Sequence, residues 1–171
     1  MNYTQTLDLI FQSYIAAKPL LKGRLDRDVR NPHLILDFAR QLDLIPPAKK
    51  VLKITGSKGK GSVARLCASS LEPFGNVGLL LSPEEIDHTD RMRINAQPIS
   101  QDRFVACFEK IWAQIHIPPA PAYLSPYGLF LLIALQWFKE ENVDFFVIET
   151  GRGVRFDEGG QLAANNAVVT S

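Results

Sequence analysis

The chain has 171 residues, 46% of them hydrophobic, which suits one ordinary domain with a real core. Lysine and arginine number 19 against 18 acids, a net charge of +1, so no bulk electrostatic case exists for nucleic acid or an anionic membrane. Two cysteines, Cys67 and Cys107, have neither metal-type spacing nor a disulfide framework and read as buried, reduced thiols.

Leu7, Ile10, Phe11, Tyr14 and Ile15 share one face and predict a helix over 5–17. Residues 18–31 read as a polar loop. Asn31-Pro32 suits a helix start, with Leu34, Ile35, Phe38, Ala39 and Leu42 as the buried stripe and Pro46-Pro47 as the stop. A strand over about 50–55, a helix over 61–73 and a strand over 76–81 follow. The polar segment 84–98 holds a short strand near Arg91–Asn95. Helices are predicted over 101–115 and 125–141, separated by a loop at Pro118–Pro121. Strands over 143–149 and 166–170 close the chain. Alternation of strand and helix implies an α/β fold, a P-loop-type parallel sheet with helices on both faces. A helical lead-in, 1–48, precedes a nucleotide-binding domain, 49–171. The N-terminus lacks a cationic, apolar signal segment, and the longest apolar run, Leu129 to Leu135, is far below the roughly 20 residues of a spanning helix. The expectation is a soluble, cytoplasmic protein.

The chemistry concentrates after the first strand. Gly56-Ser57-Lys58-Gly59-Lys60-Gly61-Ser62 is a glycine-rich turn leading into a helix. Glycines let backbone N–H groups approach phosphate oxygens, the helix N-terminus adds its positive dipole end, and Lys60 adds a mobile charge. The loop is shorter than the common P-loop, which would need a glycine at Ile54. The competing reading is a Gly/Lys-rich surface turn. In an open parallel sheet ligands bind at the carboxyl ends of strands. Ser82 and Glu149 end two further strands there, and a hydroxyl with a carboxylate suits Mg²⁺. Each also has a plain reading, as a strand-ending turn or a solvated strand end. Arg152, Arg155 and Asp157 follow, as site residues or as a surface pair. His88, beside Asp87 and Asp90, is a ligand or a solvated loop histidine; His33 and His116 show no partner pattern.

The short loop resembles the Gly-Thr-Asn-Gly-Lys-Gly-Ser/Thr loop of the folylpolyglutamate synthase/dihydrofolate synthase family, within the Mur ligase superfamily. Ala39–Leu44 with Pro46-Pro47, Val77–Pro83, Arg91–Asn95 with Pro98–Ser100, and Val143–Glu149 are similar to further segments of that family, in the same order. The resemblance implies ATP-dependent amide ligation. A carboxylate is activated as an acyl phosphate and attacked by an amine, with a folate or dihydropteroate accepting glutamate. It implies ATP and Mg²⁺ as cofactors, residues 56–62 as the triphosphate loop, Ser82 and Glu149 as metal ligands, and Lys60 and Arg155 as catalytic candidates. Three departures stand out. Ser82-Pro83-Glu84-Glu85 replaces the family's Ser-Pro-His-Leu. Ser125-Pro126-Tyr127-Gly128 replaces Thr-x-Phe-Glu. Gly151-Arg152-Gly153-Val154-Arg155-Phe156-Asp157-Glu158-Gly159-Gly160 stands where the family has Gly-Leu-Gly-Gly-Arg-x-Asp-Ala-Thr-Asn, keeping Arg155 and Asp157 and departing at Arg152, Val154 and Glu158-Gly159-Gly160. The family also continues into a metal-binding histidine, a modified lysine and a C-terminal domain. The expectation is therefore a fragment, a natural truncation or one partner of a split enzyme, lacking half the active site. Two rival readings remain: a non-catalytic nucleotide-binding or interaction module derived from this fold, and a P-loop kinase-like phosphotransferase.

Overall fold

The computed structural model describes residues 1–171, apart from the side chains of Asp26 and Arg27. In chain order the elements are α1 (Tyr3–Leu21), α2 (Asp26–Val29), α3 (Pro32–Gln41), β1 (Val51–Gly56), α4 (Lys60–Leu71), β2 (Val77–Leu80), β3 (Met92–Ile94), β4 (Gln97–Pro98), α5 (Gln101–Trp112), α6 (Pro126–Glu140), β5 (Phe145–Glu149), α7 (Glu158–Gln161) and β6 (Asn166–Thr170). The sheet order is β4-β3-β2-β5-β1-β6.

Strands β2, β5, β1 and β6 run parallel, as the alternation predicts. The sheet as a whole is mixed, because β3 pairs antiparallel with β2 and β4 antiparallel with β3. The chain returns along β2 through a loop, and an antiparallel partner needs no crossover helix. Asn95 and Ala96 join β3 to β4 with φ of 46° and 65°, the left-handed pair of a two-residue hairpin.

One face of the sheet is covered by α4, which buries Ala64 and Ala68 against Ile54, Val77, Leu79 and Val147. The other face carries the larger core, where the apolar helix α6 lies between the sheet and α5, and α1 and α3 add Ile10, Ile35 and Phe38. Gly78 lies under this layer, where a Cβ would meet the Phe138 ring.

The region predicted as the loop 18–31 is partly helical. α1 continues to Leu21 with Pro19 in its last turns, where the missing N–H removes one intrahelical bond, and α2 adds one more turn. The single-turn α7 has no apolar period of its own to announce it. No described helix is long and apolar enough to cross a membrane.

Candidate functional site

Four of the five helices of ten residues or more are capped by a side chain: Asn2 for α1, Asn31 for α3, Ser100 for α5 and Ser125 for α6. α4 is the exception. Its cap is Gly59, φ 73°, with no side-chain oxygen to take the first-turn N–H groups. A left-handed residue there is easiest for glycine, and the uncapped donors leave a helix end ready for an anion. Ser57, Lys58, Gly59 and Ser62 are exposed, while Lys60 and Gly61 are half-buried. Gly56, φ 134°, is needed for a different reason: a Cβ there would run into Thr170 of the neighbouring strand. Ser57 N–H donates to Thr170 O at 3.1 Å and fixes the loop's entry.

Opposite the loop stands Glu149 at the end of β5, only 3% exposed. Its Oε2 accepts the Ser82 backbone N–H at 3.1 Å, and a Cβ at Gly61 would lie 3.6 Å from the same oxygen. Burial pushes the Glu149 carboxyl up; the Ser82 N–H and the charges of Lys60, Arg65 and Arg91 oppose the shift. Ser82 therefore meets Glu149 through its backbone, and its hydroxyl lies on the side of Gly151 and Asp157. Ser82 and Glu149 line a cavity of about 310 Å³ with Gly59, Gly61, Ser62, Arg65, Glu84 and Glu85. Among the described residues no three His, Cys, Asp or Glu side chains cluster as a metal cage. A Mg²⁺ bound mainly by phosphates and water needs only one or two protein oxygens, and a buried carboxylate beside an anion-binding helix end fits that ion.

A second cavity of about 310 Å³ lies on the other side of Ser82. Aromatic side chains (Phe11, Tyr14, Tyr123, Tyr127, Phe130) and four arginines (Arg24, Arg30, Arg91, Arg152) line it, and among the described residues no carboxylate does. Arg91 lies 4.7 Å over the Phe130 ring and pairs with Glu84. His88 stacks on the same ring at 5.2 Å, with its Nδ1 3.3 Å from Glu84 Oε1, so it serves this wall. Burial would raise the Glu84 carboxyl, but its own backbone N–H, Arg91 and His88 outweigh that and hold it below the ordinary value. The two acids at 84 and 85 are therefore neutralised locally, Glu84 by Arg91 and Glu85 by Arg65.

Arg155 is exposed, stacked 5.3 Å from the Phe156 ring, and lines neither cavity; Arg152 does. Asp157 is a buried clasp, accepting from Gly151, Arg152 and Gly160 N–H groups at 2.9–3.0 Å. Tyr127 has no site role in the sequence reading, yet its hydroxyl donates to the Glu149 carbonyl at 2.6 Å and its ring lines the second cavity. A lone tyrosine in a helix's first turn carries no sequence signal of that bond. Arg65 has no site role in the sequence reading either, although its place four residues beyond Gly61 puts it on the same side of α4, the side of Glu149.

No family model matches the chain. Curated relatives do. The chain is 32% identical over 134 residues to a dihydrofolate synthase/folylpolyglutamate synthase of Escherichia coli, covering 78% of this chain and 31% of that protein. It is 30% identical over 168 residues to the Bacillus subtilis protein of the same name, covering 95% and 39%. A crystal structure of a bifunctional folylpolyglutamate synthase/dihydrofolate synthase with Mn, AMPPNP and L-glutamate bound superposes with a TM-score of 0.71 at 29% identity, over 82% of this chain and 34% of that one. The chain thus spans about a third of the length of the relatives it matches. With a phosphate-type loop, a strand-end acid and this shared fold, the chain belongs to the folylpolyglutamate synthase/dihydrofolate synthase family.

Proposed function

We propose that this chain supplies the phosphate-binding wall of an ATP-dependent carboxylate–amine ligase of the folylpolyglutamate/dihydrofolate synthase type. One observation carries the reading. Ser82 lines both cavities, so the phosphate-type cleft and the arginine-rich aromatic cavity meet at one residue. Phosphoryl transfer needs that adjacency, since its catalysis is mostly positioning and charge stabilisation.

In this reading the uncapped N–H groups of α4 and Lys60 hold the triphosphate. The second cavity holds the carboxylate substrate, its body against Tyr127 and Phe130 and its charge toward the arginines. A carboxylate oxygen attacks the γ-phosphorus as the bond to the β-phosphate oxygen breaks, releasing ADP and forming an acyl phosphate. The amine, glutamate in the relatives' type of reaction, then attacks the carbonyl and phosphate departs. Glu149 and Ser82 would hold a Mg²⁺, which supplies charge neutralisation on the transferred group. Folate or dihydropteroate is the acceptor that the family suggests. The alternative, a nucleotide-binding module without ligation, draws on the place of Arg155 outside both cavities.

Calorimetric titration of Mg·ATP into wild type and Lys60→Ala tests the assignment. Saturable binding by wild type, weakened about tenfold by loss of the charged contact, is the expected result. Equal affinity in the two proteins would remove the loop from the nucleotide site.

A further inference from the structure

The rim of the phosphate-type cleft holds a charge pair that the reaction scheme above does not use. Arg65 Nη2 lies 2.7 Å from Glu85 Oε1, and both residues line the cleft with Gly59, Gly61, Ser62 and Glu149. The pair bridges its two walls, because Arg65 belongs to α4 and Glu85 to the segment after β2. Arg65 sits one turn beyond Gly61, on the same side of α4.

The two acids of this segment are held differently. Glu84 is 28% exposed and fixed by both Arg91 and His88. Glu85 is 61% exposed and, among the described residues, pairs with Arg65 alone. An ion pair that open to water contributes little and exchanges cheaply. A guanidinium accepts carboxylate and phosphate oxygens through the same fork of donors, and phosphate carries the greater charge.

We propose that Arg65 is a second cationic phosphate ligand of the cleft and that Glu85 is its placeholder, its carboxylate standing where a phosphate oxygen of the nucleotide will bind. The inference rests on the nucleotide reading of the cleft. When the triphosphate enters, Arg65 turns from Glu85 to phosphate and Glu85 swings into solvent, which its exposure permits. Before binding, the pair keeps the cleft electrically quiet and holds Arg65 near its working position. Glu85 thereby lowers the affinity for nucleotide and excludes weaker anions from the same guanidinium.

A double-mutant cycle tests this, with Mg·ATP as the probe and calorimetry as the readout, on wild type, Arg65→Gln, Glu85→Gln and the double variant. Both positions are partly exposed, and melting curves without nucleotide check that each variant is folded. Arg65→Gln should weaken binding about tenfold, as loss of a charged hydrogen bond does. Glu85→Gln should tighten it about threefold, as loss of a competing surface pair does. The double variant should bind like Arg65→Gln. A Glu85→Gln gain that persists undiminished without Arg65 would be a general field effect and would overturn the placeholder. Unchanged or weaker binding by Glu85→Gln would overturn it as well. Lys60→Ala separates the two levels. If Lys60→Ala weakens binding and Arg65→Gln does not, this inference alone fails. If neither changes it, the nucleotide reading fails with it.

Discussion

At the scale of single residues, Glu149 bears the most weight, because it is an acid buried at a strand end with no salt bridge among the described residues. Burial raises its pKa, so over the window just above the ordinary carboxylate range the folded protein keeps a proton that the unfolded chain has released. The stability from this group is full at low pH and falls as pH rises through that window. A metal needs the ionised form, so the Mg²⁺-dependent part of nucleotide stabilisation should rise over the same window. Glu149→Gln keeps size and hydrogen bonding and removes the charge. It should melt within a few degrees of wild type near neutral pH, flatten the falling slope, and lose most of the Mg²⁺-dependent shift that nucleotide produces. Melting curves across pH, with nucleotide and with or without Mg²⁺, make the comparison. An undiminished Mg²⁺-dependent shift would take Glu149 out of the metal site.

At the scale of elements, two of the three family departures, at 125–128 and 157–160, are one repacking. A Cβ at Gly128 would strike Ile35, so α3 fills the space of the missing glutamate. Ser125 Oγ instead meets the buried Glu158, whose carboxyl burial pushes up. A Cβ at Gly159 would meet the Tyr127 hydroxyl and Ile148, so glycine at 159 makes room for the hydroxyl that bridges α6 to β5. Gly159→Thr alone should therefore cost about 1–3 kcal/mol by overpacking. Tyr127→Phe alone should cost about 1 kcal/mol, the worth of one hydrogen bond. The double variant should cost at least about 0.5 kcal/mol less than their sum, because the clash needs both groups. Denaturant midpoints measure all three, and strict additivity would separate the two positions. Most of these elements were legible from the apolar stripes and caps, as with Asn31-Pro32 opening α3 and the apolar run Leu129 to Leu135 marking α6. α7 was not, because it is held by Asp157 and by Lys53 donating to Gly160 O at 2.9 Å, contacts distant from any local pattern.

At the scale of the molecule, the sheet carries three chain-distant groups to the carboxyl end of its interior strands: the loop after β1, Ser82 after β2 and Glu149 at the end of β5. That convergence was legible, since strand ends of a parallel sheet face one way. Glycine and lysine spacing marked the loop, and the apolar run before Glu149 marked its strand. The second cavity was not legible as a whole. Phe11, Arg30, Arg91, Tyr127 and Phe130 come from α1, the link into α3, the approach to β3 and α6, and only their packing joins them. Arg155 shows the limit in the other direction. It sits at the family motif's arginine, yet a loop clasped by Asp157 turns it outward while Arg152 faces the cavity. On the proposed function, the cleft between Gly59–Ser62 and Ser82/Glu149 holds the terminal phosphates of a nucleotide. A crystal structure of the chain with Mg²⁺ and a non-hydrolysable ATP analogue tests it most directly. The β- and γ-phosphates should lie on the N–H groups of α4's first turn, with Lys60 against them and the ion beside Glu149. Phosphates seated anywhere else, with Glu149 still bound only to the Ser82 N–H, would contradict it.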